Sequence, residues 1–346
     1  MSILSIQDLT VVIPVRNGGR QFEACLASVL AAGLIPRQVI VVADGESDGS
    51  WRVAQNLGMP VIRLQDPGGP ARARNRGAAA AESDILLFID ADVTLTPQVP
   101  QQFIDVFNRH PEIAAVIGSY DNQPAQSNFL SQYKNLLHHY IHQVSRREAV
   151  TFWGACGAIR RQVFRSLGGF DESYRHPSIE DIELGYRLKQ AGYEILLERQ
   201  IQVKHLKRWG PITLVRADFF FRALPWSRLI LRVGRFPNDL NLTFKARVSV
   251  GCVYLFIACL ATAVLWPKAA FGAGICGALL AIVNWSLYRF FWESKGKLFT
   301  LMVLPWHWFY FFYSGLAFLM SAAHHLRARF RARSLPALGD TAADDD

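Results

Sequence analysis

Ile85-Leu86-Leu87-Phe88-Ile89-Asp90-Ala91-Asp92 sets five consecutive apolar residues before two carboxylates one residue apart. A short continuous apolar run reads as a strand buried on both faces, and the two aspartates then stand where the chain leaves the sheet. The same pattern recurs upstream. Residues 9–15 are apolar and β-branched and close at Asn17-Gly18-Gly19, residues 38–43 close at Asp44-Gly45, and residues 60–64 run into Asp66-Pro67-Gly68-Gly69-Pro70. Residues 21–32 carry helical spacing, and residues 71–81, rich in Ala and Arg, favour helix. Strands alternating with helices predict an α/β fold, a mostly parallel sheet with helices on both faces. Ligands bind such sheets beyond the carboxyl ends of the strands, and Asn17, Asp44, Asp66 and Asp90 all fall there.

Downstream the pattern is less regular. Residues 114–119 and 194–197 read as strands, 127–145 as a helix, and 179–191 as a helix stopped by Gly192. From Pro211 the composition changes. Residues 211–235 mix Phe, Leu, Ile and Trp with Arg216, Arg222, Arg228, Arg232 and Arg235, and Pro225 divides them. In the second piece Arg228, Arg232 and Arg235 take one helical face, and Trp226, Ile230 and Val233 take another. A basic amphipathic helix with aromatics suits a membrane interface. Residues 248–267 and 269–288 carry no charge, and each is about as long as a bilayer's ~30 Å hydrocarbon core requires. Residues 298–326 form a third uncharged stretch, which is expected either to cross or to re-enter as a hairpin broken near Pro305. The expected divisions are a catalytic domain at 1–210, amphipathic interface helices at 211–246, transmembrane helices at 247–326 with two or three spans, and a basic then acidic disordered tail at 327–346.

The 346 residues are 51% hydrophobic and carry a net charge of +9. The hydrophobic excess lies after Lys245, and Arg residues crowd at 199–247 and 327–333, beside the apolar segments. Anionic lipid headgroups explain that placement better than nucleic acid does, so a membrane is an expected partner and nucleic acid is not. Cys25, Cys156, Cys252, Cys259 and Cys276 form no CxxC pair, which argues against a disulfide framework or a zinc site. The first eight residues lack a basic region, so no signal peptide is read, and an integral membrane protein with a cytoplasmic catalytic domain is expected. Nothing in the sequence sets an oligomeric state.

Asp90 and Asp92 can reach one cation from the end of their strand. Carboxylate oxygens suit Mn²⁺ or Mg²⁺, which also bind diphosphate oxygens. Asp44 can accept from a base N–H or a ribose hydroxyl, and as a turn residue it can equally bond its own backbone. Pro67-Gly68-Gly69-Pro70 turns into a helix that opens with Arg72, Arg74 and Arg76. Such a helix start favours an anion such as a diphosphate, with Arg74 and Asn75 the candidates. Glu180-Asp181 opens a helix whose dipole stabilises a carboxylate anion, and either could take a proton from an attacking hydroxyl. His205 can ligate the metal, Arg208 can pair with a leaving diphosphate, and Trp209 can stack on a sugar. His138, His139 and His142 show helical spacing without a metal motif around them, so they read as a surface or substrate-facing helix.

These segments together resemble glycosyltransferase family 2, a family of GT-A fold, over residues 9–209. Val11-Val12-Ile13-Pro14-Val15-Arg16-Asn17 is similar to the family's first strand and donor-binding turn, which implies Pro14, Val15 and Arg16 as donor residues. Val42-Ala43-Asp44-Gly45-Glu46-Ser47-Asp48-Gly49 resembles its acidic turn, with Ala43 where a further Asp is common, so that Asp44 is the implied base-binding residue. Gly69-Pro70-Ala71-Arg72-Ala73-Arg74-Asn75-Arg76-Gly77 is similar to its Arg-Asn segment, and Asp90-Ala91-Asp92 matches its metal motif. Gly154-Ala155-Cys156-Gly157-Ala158 and Gly168-Gly169-Phe170-Asp171-Glu172 look like its acceptor-side loops. Glu180-Asp181 matches the pair whose Asp is the family's base. The last segment departs from the processive members, because His205 leads where they carry Gln or Arg, while Arg208-Trp209 end it as theirs do.

The resemblance implies an inverting transfer from a nucleotide-diphosphate sugar, a UDP-sugar in the favoured case, to a hydroxyl or phosphate of a lipid or glycan acceptor. A lipid-like acceptor follows from the membrane segments. A soluble or cell-envelope glycan, with the membrane part as anchor only, is the alternative. A non-catalytic nucleotide-binding scaffold and a nucleotidyltransferase are weaker readings, since Asp44, Asp90, Asp92 and Asp181 are all present and Glu180-Asp181 follow the Gly-Gly-Phe-Asp-Glu loop.

Overall fold

The computed structural model describes residues 3–334 apart from 235 and 237. In chain order it runs β1 (Leu9–Val15), α1 (Gly19–Ala31), β2 (Val39–Asp44), α2 (Ser50–Asn56), β3 (Val61–Leu64), α3 (Pro70–Ala80), β4 (Ile85–Ile89), β5 (Val93–Leu95) and α4 (Val99–Arg109). Then come β6 (Ala115–Tyr120), α5 (Phe129–Val144), β7 (Glu148–Ala149), β8 (Cys156–Arg160), α6 (Arg161–Ser166), α7 (Glu180–Gln190) and β9 (Ile195–His205). The C-terminal part is helical: α8 (Pro211–Asp218), a π-helical turn at Phe219–Ala223, α9 (Leu224–Val233), α10 (Phe244–Ala263), α11 (Ala269–Val283), α12 (Trp285–Lys295) and α13 (Lys297–Ser334).

The strands form one sheet in the order β3-β2-β1-β4-β8-β6-β9-β5, with β7 paired to β9. The first block is parallel, as β1 pairs with β2 and β4, and β2 with β3. β8 then runs against both of its neighbours, β4 and β6. β6 and β9 are parallel, while β5 and β7 run against β9. The expected mostly parallel sheet is therefore corrected to a mixed one. The departures are β8, inserted antiparallel between β4 and β6, and β5 and β7, which run against β9. The sheet core is dry: Leu9, Val12, Ile13, Val41, Ile85, Leu87 and Phe88 have no exposed surface. Burying an aliphatic side chain of this kind contributes about 1.5–3 kcal/mol. Every residue of β4 is buried, so its carboxyl end is a firm mount for Asp90.

The C-terminal helices share a second core with the domain. Leu130, Tyr133 and Leu136 of α5 meet Trp209, Leu214 of α8, Leu287 and Phe291 of α12, and Val303 of α13. α10 is 20 residues long and apolar, and among the described residues it is the one helix long and apolar enough to cross a membrane. α11 and α12 pass the same test only as a pair bent by 67°. The expected span at 269–288 is thus broken at Asn284, whose amide donates to Ser249 and to the Leu280 carbonyl, both at 2.9 Å. The expected break at Pro305 does not occur. α13 continues through it for 38 residues, because buried neighbours such as Val303 and Phe311 offset the roughly 3 kcal/mol a helical proline costs. The helix also takes in residues 327–334, expected to be tail, while the acidic 340–346 lie outside the described residues, as does Arg235.

The apolar face of α9 is also not where the sequence puts it. Leu229, Trp226 and Val233 pack on Ile179, Ile182 and Tyr186 of the α7 region. Trp226 Nε1 donates to the Tyr186 hydroxyl at 3.2 Å. α9 is a wedge between the domain and α13, and Arg228 and Arg232 are exposed.

Candidate active site

The carboxyl ends of β1, β2 and β4 converge, and the loops beyond them are tied together. Asn17 Oδ1 accepts from the backbone N–H of Ser47 at 2.8 Å, joining the loops after β1 and β2. Pro14 is half-buried, Val15 buried and Arg16 exposed at the end of β1. Asp44 turns inward: its carboxylate accepts from the N–H groups of Gly68 at 2.7 Å and Gly69 at 2.8 Å, and it is 4% exposed. It therefore shapes the Gly-rich turn. Gly69 sits at φ +90°, with the Arg175 backbone where a Cβ would project, so only glycine fits there.

Arg74 and Asn75 are likewise held by protein partners. α3 lies against β1 and β2, and position 74 is on its buried side. Arg74 Nη2 lies 2.6 Å from Asp90 Oδ1 and Nη1 lies 2.8 Å from Glu180 Oε1. Burial works against the guanidinium's charge, but Asp90, Glu180 and Asp181 around it hold its pKa above the ordinary value. The Asn75 amide donates to the Phe170 carbonyl at 2.9 Å and to Glu172 at 3.0 Å, and accepts from the Phe170 N–H at 2.9 Å. It holds the Gly168-Gly169-Phe170 loop and has no donor left for a ligand.

Glu180 and Asp181 divide their work. Glu180 is 4% exposed, and its second oxygen accepts from the Ser178 N–H at 2.9 Å. It is a positioning group. Asp181 keeps partial exposure. Its oxygens accept from the N–H of Gly154 at 3.0 Å and of its neighbour Ile182 at 2.8 Å. Burial and the adjacent Glu180 push its pKa up to about 6, against the Gly154 N–H, Arg74 and Arg222. A carboxylate tuned to that range suits proton transfer near neutral pH.

Asp92 and His205 meet because β5 pairs with β9, Val93 opposite His205. Asp92 Oδ2 lies 3.5 Å from His205 Nε2. Burial opposes the charge of Asp92, but His205 and Lys207 hold its pKa below the usual carboxylate value. His205 is stacked on Tyr120, ring centroids 4.6 Å apart, and its Nδ1 lies 2.9 Å from Asn135 Oδ1. With a metal bound, a proton on Nδ1 donated to that oxygen would leave the Nε2 lone pair for the metal, the arrangement of a ligating imidazole with a carbonyl behind it. Among the described residues no three His, Cys, Asp or Glu groups enclose a cation. Asp92 and His205 converge, whereas Asp90 is turned to Arg74. Two protein ligands plus diphosphate oxygens and water are a normal set for Mn²⁺ or Mg²⁺, so the donor set fits the metal.

Trp209 is not free to stack on a sugar. It is 7% exposed in the core shared with α5 and α12, and its backbone N–H donates to Ser131 Oγ at 2.7 Å. The turn after β9 needs an apolar anchor there, and Arg208 beside it is exposed. His139 and His142 are structural, with Nδ1 against the carbonyls of Tyr120 at 2.7 Å and Gly118 at 3.0 Å. Two groups of the site carry no distinctive mark in the sequence. The Gly154 N–H has no sequence signal. Arg222 stood as one arginine among several in a basic helix, yet the π turn after α8 directs it toward the Asp181 side, where its charge acts on Asp181, Asp218 and Tyr120.

Residues 10–168 match the family model described as Glycosyl transferase family 2. The Pre-mycofactocin glycosyltransferase of Mycobacterium tuberculosis is 31% identical over 235 residues, covering 64% of this chain and 45% of that protein. The Poly-beta-1,6-N-acetyl-D-glucosamine synthase of Staphylococcus aureus is 24% identical over 279 residues, covering 74% and 65%. The chain thus spans less than two thirds of the length of either relative. The mannosyltransferase PcManGT from Pyrobaculum calidifontis, solved with GDP-Man and Mn²⁺, superposes with a TM-score of 0.54 at 15% identity over 90% of this chain and 87% of that one. That likeness is one of fold.

Proposed function

Because residues 10–168 match the model of glycosyl transferase family 2, we propose that this chain is an inverting, metal-dependent glycosyltransferase of that family. It moves a sugar from a nucleotide-diphosphate donor, a UDP-sugar in the favoured case, to a lipid-like acceptor at the cytoplasmic face of a membrane. The observation that carries the reading is the bridge from Asp90 through Arg74 to Glu180. One guanidinium locks the metal-side loop to the helix start that bears Asp181.

In this reading Asp181 takes the proton of the acceptor hydroxyl. The freed oxygen pair attacks the anomeric carbon from the face opposite the diphosphate, the carbon–oxygen bond to the diphosphate breaks, and its electron pair leaves with the phosphate. Asp92 and His205 would hold the metal, which when bound would supply charge neutralisation for the leaving diphosphate. Asp44 and Asn75 keep the donor-side turn and the acceptor-side loop in shape. α10 and the docked α12 and α13 hold the site at the bilayer surface.

Purified protein in lipid nanodiscs, given UDP- or GDP-sugars with Mn²⁺ or EDTA, tests this. Metal-dependent incorporation of sugar into the lipid fraction is expected. Incorporation into soluble glycans alone would reduce the helices to an anchor, and absence of turnover with every donor would overturn the enzymatic reading.

A further inference from the structure

A cavity of about 670 Å³ lies where the π turn and α9 meet α5, α10 and α13, well within the ~300–1,000 Å³ range of sites that enclose small molecules. Its walls are unequal. Trp226 and Ile230 of α9, Val250 and Gly251 of α10, and Phe311 and Phe318 of α13 make a long apolar side. Arg222, Lys134, Asp218, His138 and Arg247 are among its charged and titratable lining. Lys134 is already paired with Asp218 at 2.6 Å, and Tyr313 donates to the same carboxylate at 3.0 Å. Among the described residues Arg222 has no hydrogen-bond acceptor and no carboxylate partner, although it is exposed to the cavity. His138 Nδ1 is buried and unpartnered as well. A short π-helical turn inside a helix is itself a frequent mark of a functional position, and this one, Phe219–Ala223, carries Arg222.

We propose that this cavity binds the acceptor as a phosphate-bearing membrane lipid, one hydrocarbon chain lying between α9, α10 and α13 and the phosphate on Arg222. The inference rests on Asp181 as the base of the reaction. A guanidinium with spare donors binds phosphate oxygens strongly, and the Arg222 charge favours the Asp181 anion. The hydroxyl that reacts is then carried beside the phosphate, next to Asp181. A bare phosphate as nucleophile fits less well, because near neutral pH it is already an anion and gives Asp181 no proton to take. The apolar wall continues onto α10, the helix suited to the bilayer, so a chain can enter sideways from the membrane.

Gly251 gives a direct test, because a Cβ there meets nothing within 4 Å, and the same holds for Gly274 of α11, which does not line the cavity. The full chain in detergent is exposed to phosphatidylglycerol and to diacylglycerol, and bound lipid is counted by native mass spectrometry. Gly251→Phe is expected to lower phosphatidylglycerol binding at least tenfold, and Gly274→Phe to leave it unchanged. Arg222→Gln is expected to remove the preference for phosphatidylglycerol over diacylglycerol. Wild-type binding in Gly251→Phe would show that the cavity is not the site, and an unchanged preference in Arg222→Gln would sink the headgroup assignment. Polyprenyl phosphate serving as acceptor in place of a hydroxyl-bearing lipid would overturn the assignment of the reacting group. Lipid binding that follows these variants while donor hydrolysis is absent would overturn the catalytic reading and leave the site standing.

Discussion

Arg74 Nη1 lies 2.8 Å from Glu180 Oε1, with both side chains 5% exposed. The pair joins α3, in the parallel block of the sheet, to the start of α7. Arg74→Met leaves Glu180 buried without its cation, and removing one partner of such a pair costs about 3–5 kcal/mol. A denaturant midpoint measured in detergent checks this, and a loss below about 1 kcal/mol would mean that water reaches the site.

Asp181→Asn is expected to lower kcat/KM for transfer by about 10²–10⁴-fold, the usual contribution of a general base, while donor binding is retained. In the wild type kcat/KM should fall tenfold per unit below pH 6 and level off above it, since the base acts as the anion and its pKa is about 6. A pH-independent rate down to pH 5 contradicts the assignment.

The same group has a stability signature. Its pKa is raised from 3.8 to about 6 in the fold, so in that window the folded protein keeps a proton that the unfolded chain has lost. Asp181 therefore makes the fold less stable as pH rises between those values. Comparing unfolding at pH 4 and pH 7 in wild type and Asp181→Asn isolates the effect, which should vanish in the variant.

Asn135→Ala removes the acceptor behind His205 Nδ1 and touches no predicted ligand atom of the metal. Loss of such a supporting group typically lowers metal affinity about 10–100-fold. Titration of Mn²⁺ into protein saturated with a nucleoside diphosphate reads it, and unchanged affinity would argue that His205 is not a ligand.

Gly185→Ala should destabilise although alanine favours helix. A Cβ there would overlap the backbone of Thr151 and Phe152, and overpacking of this kind costs about 1–3 kcal/mol. The shift would also carry α7 away from the loop that supplies the Gly154 N–H, so the rising limb of the pH–rate profile should move to higher pH.

What could be read from sequence follows from how each signal arises. β1, β2 and β4 are apolar runs ending in Asn or Asp, so both their place and their functional edge were legible. β8 was not, because Cys156, Gly157 and Ala158 have little β preference and are there to let neighbouring chain approach. Residue type located the site better than orientation did. Arg74, Asn75 and Asp44 are at the site, yet each spends its polar atoms on protein partners, a fact decided by which side of α3 or which turn faces the sheet. Trp209 was misplaced for a related reason, since an aromatic anchor and a sugar platform look alike in one dimension. Arg222 was hidden among other arginines, and only the π turn set it apart.

The core shared by α5, α8, α12 and α13 has a practical consequence for anyone preparing the protein. Leu136 and Phe291 have no exposed surface in it, and Leu214 has none either. A chain cut after Gly210 would uncover that greasy side of α5, so the shortened enzyme should aggregate in plain buffer and need surfactant, even though the part removed supplies none of the groups that handle the donor.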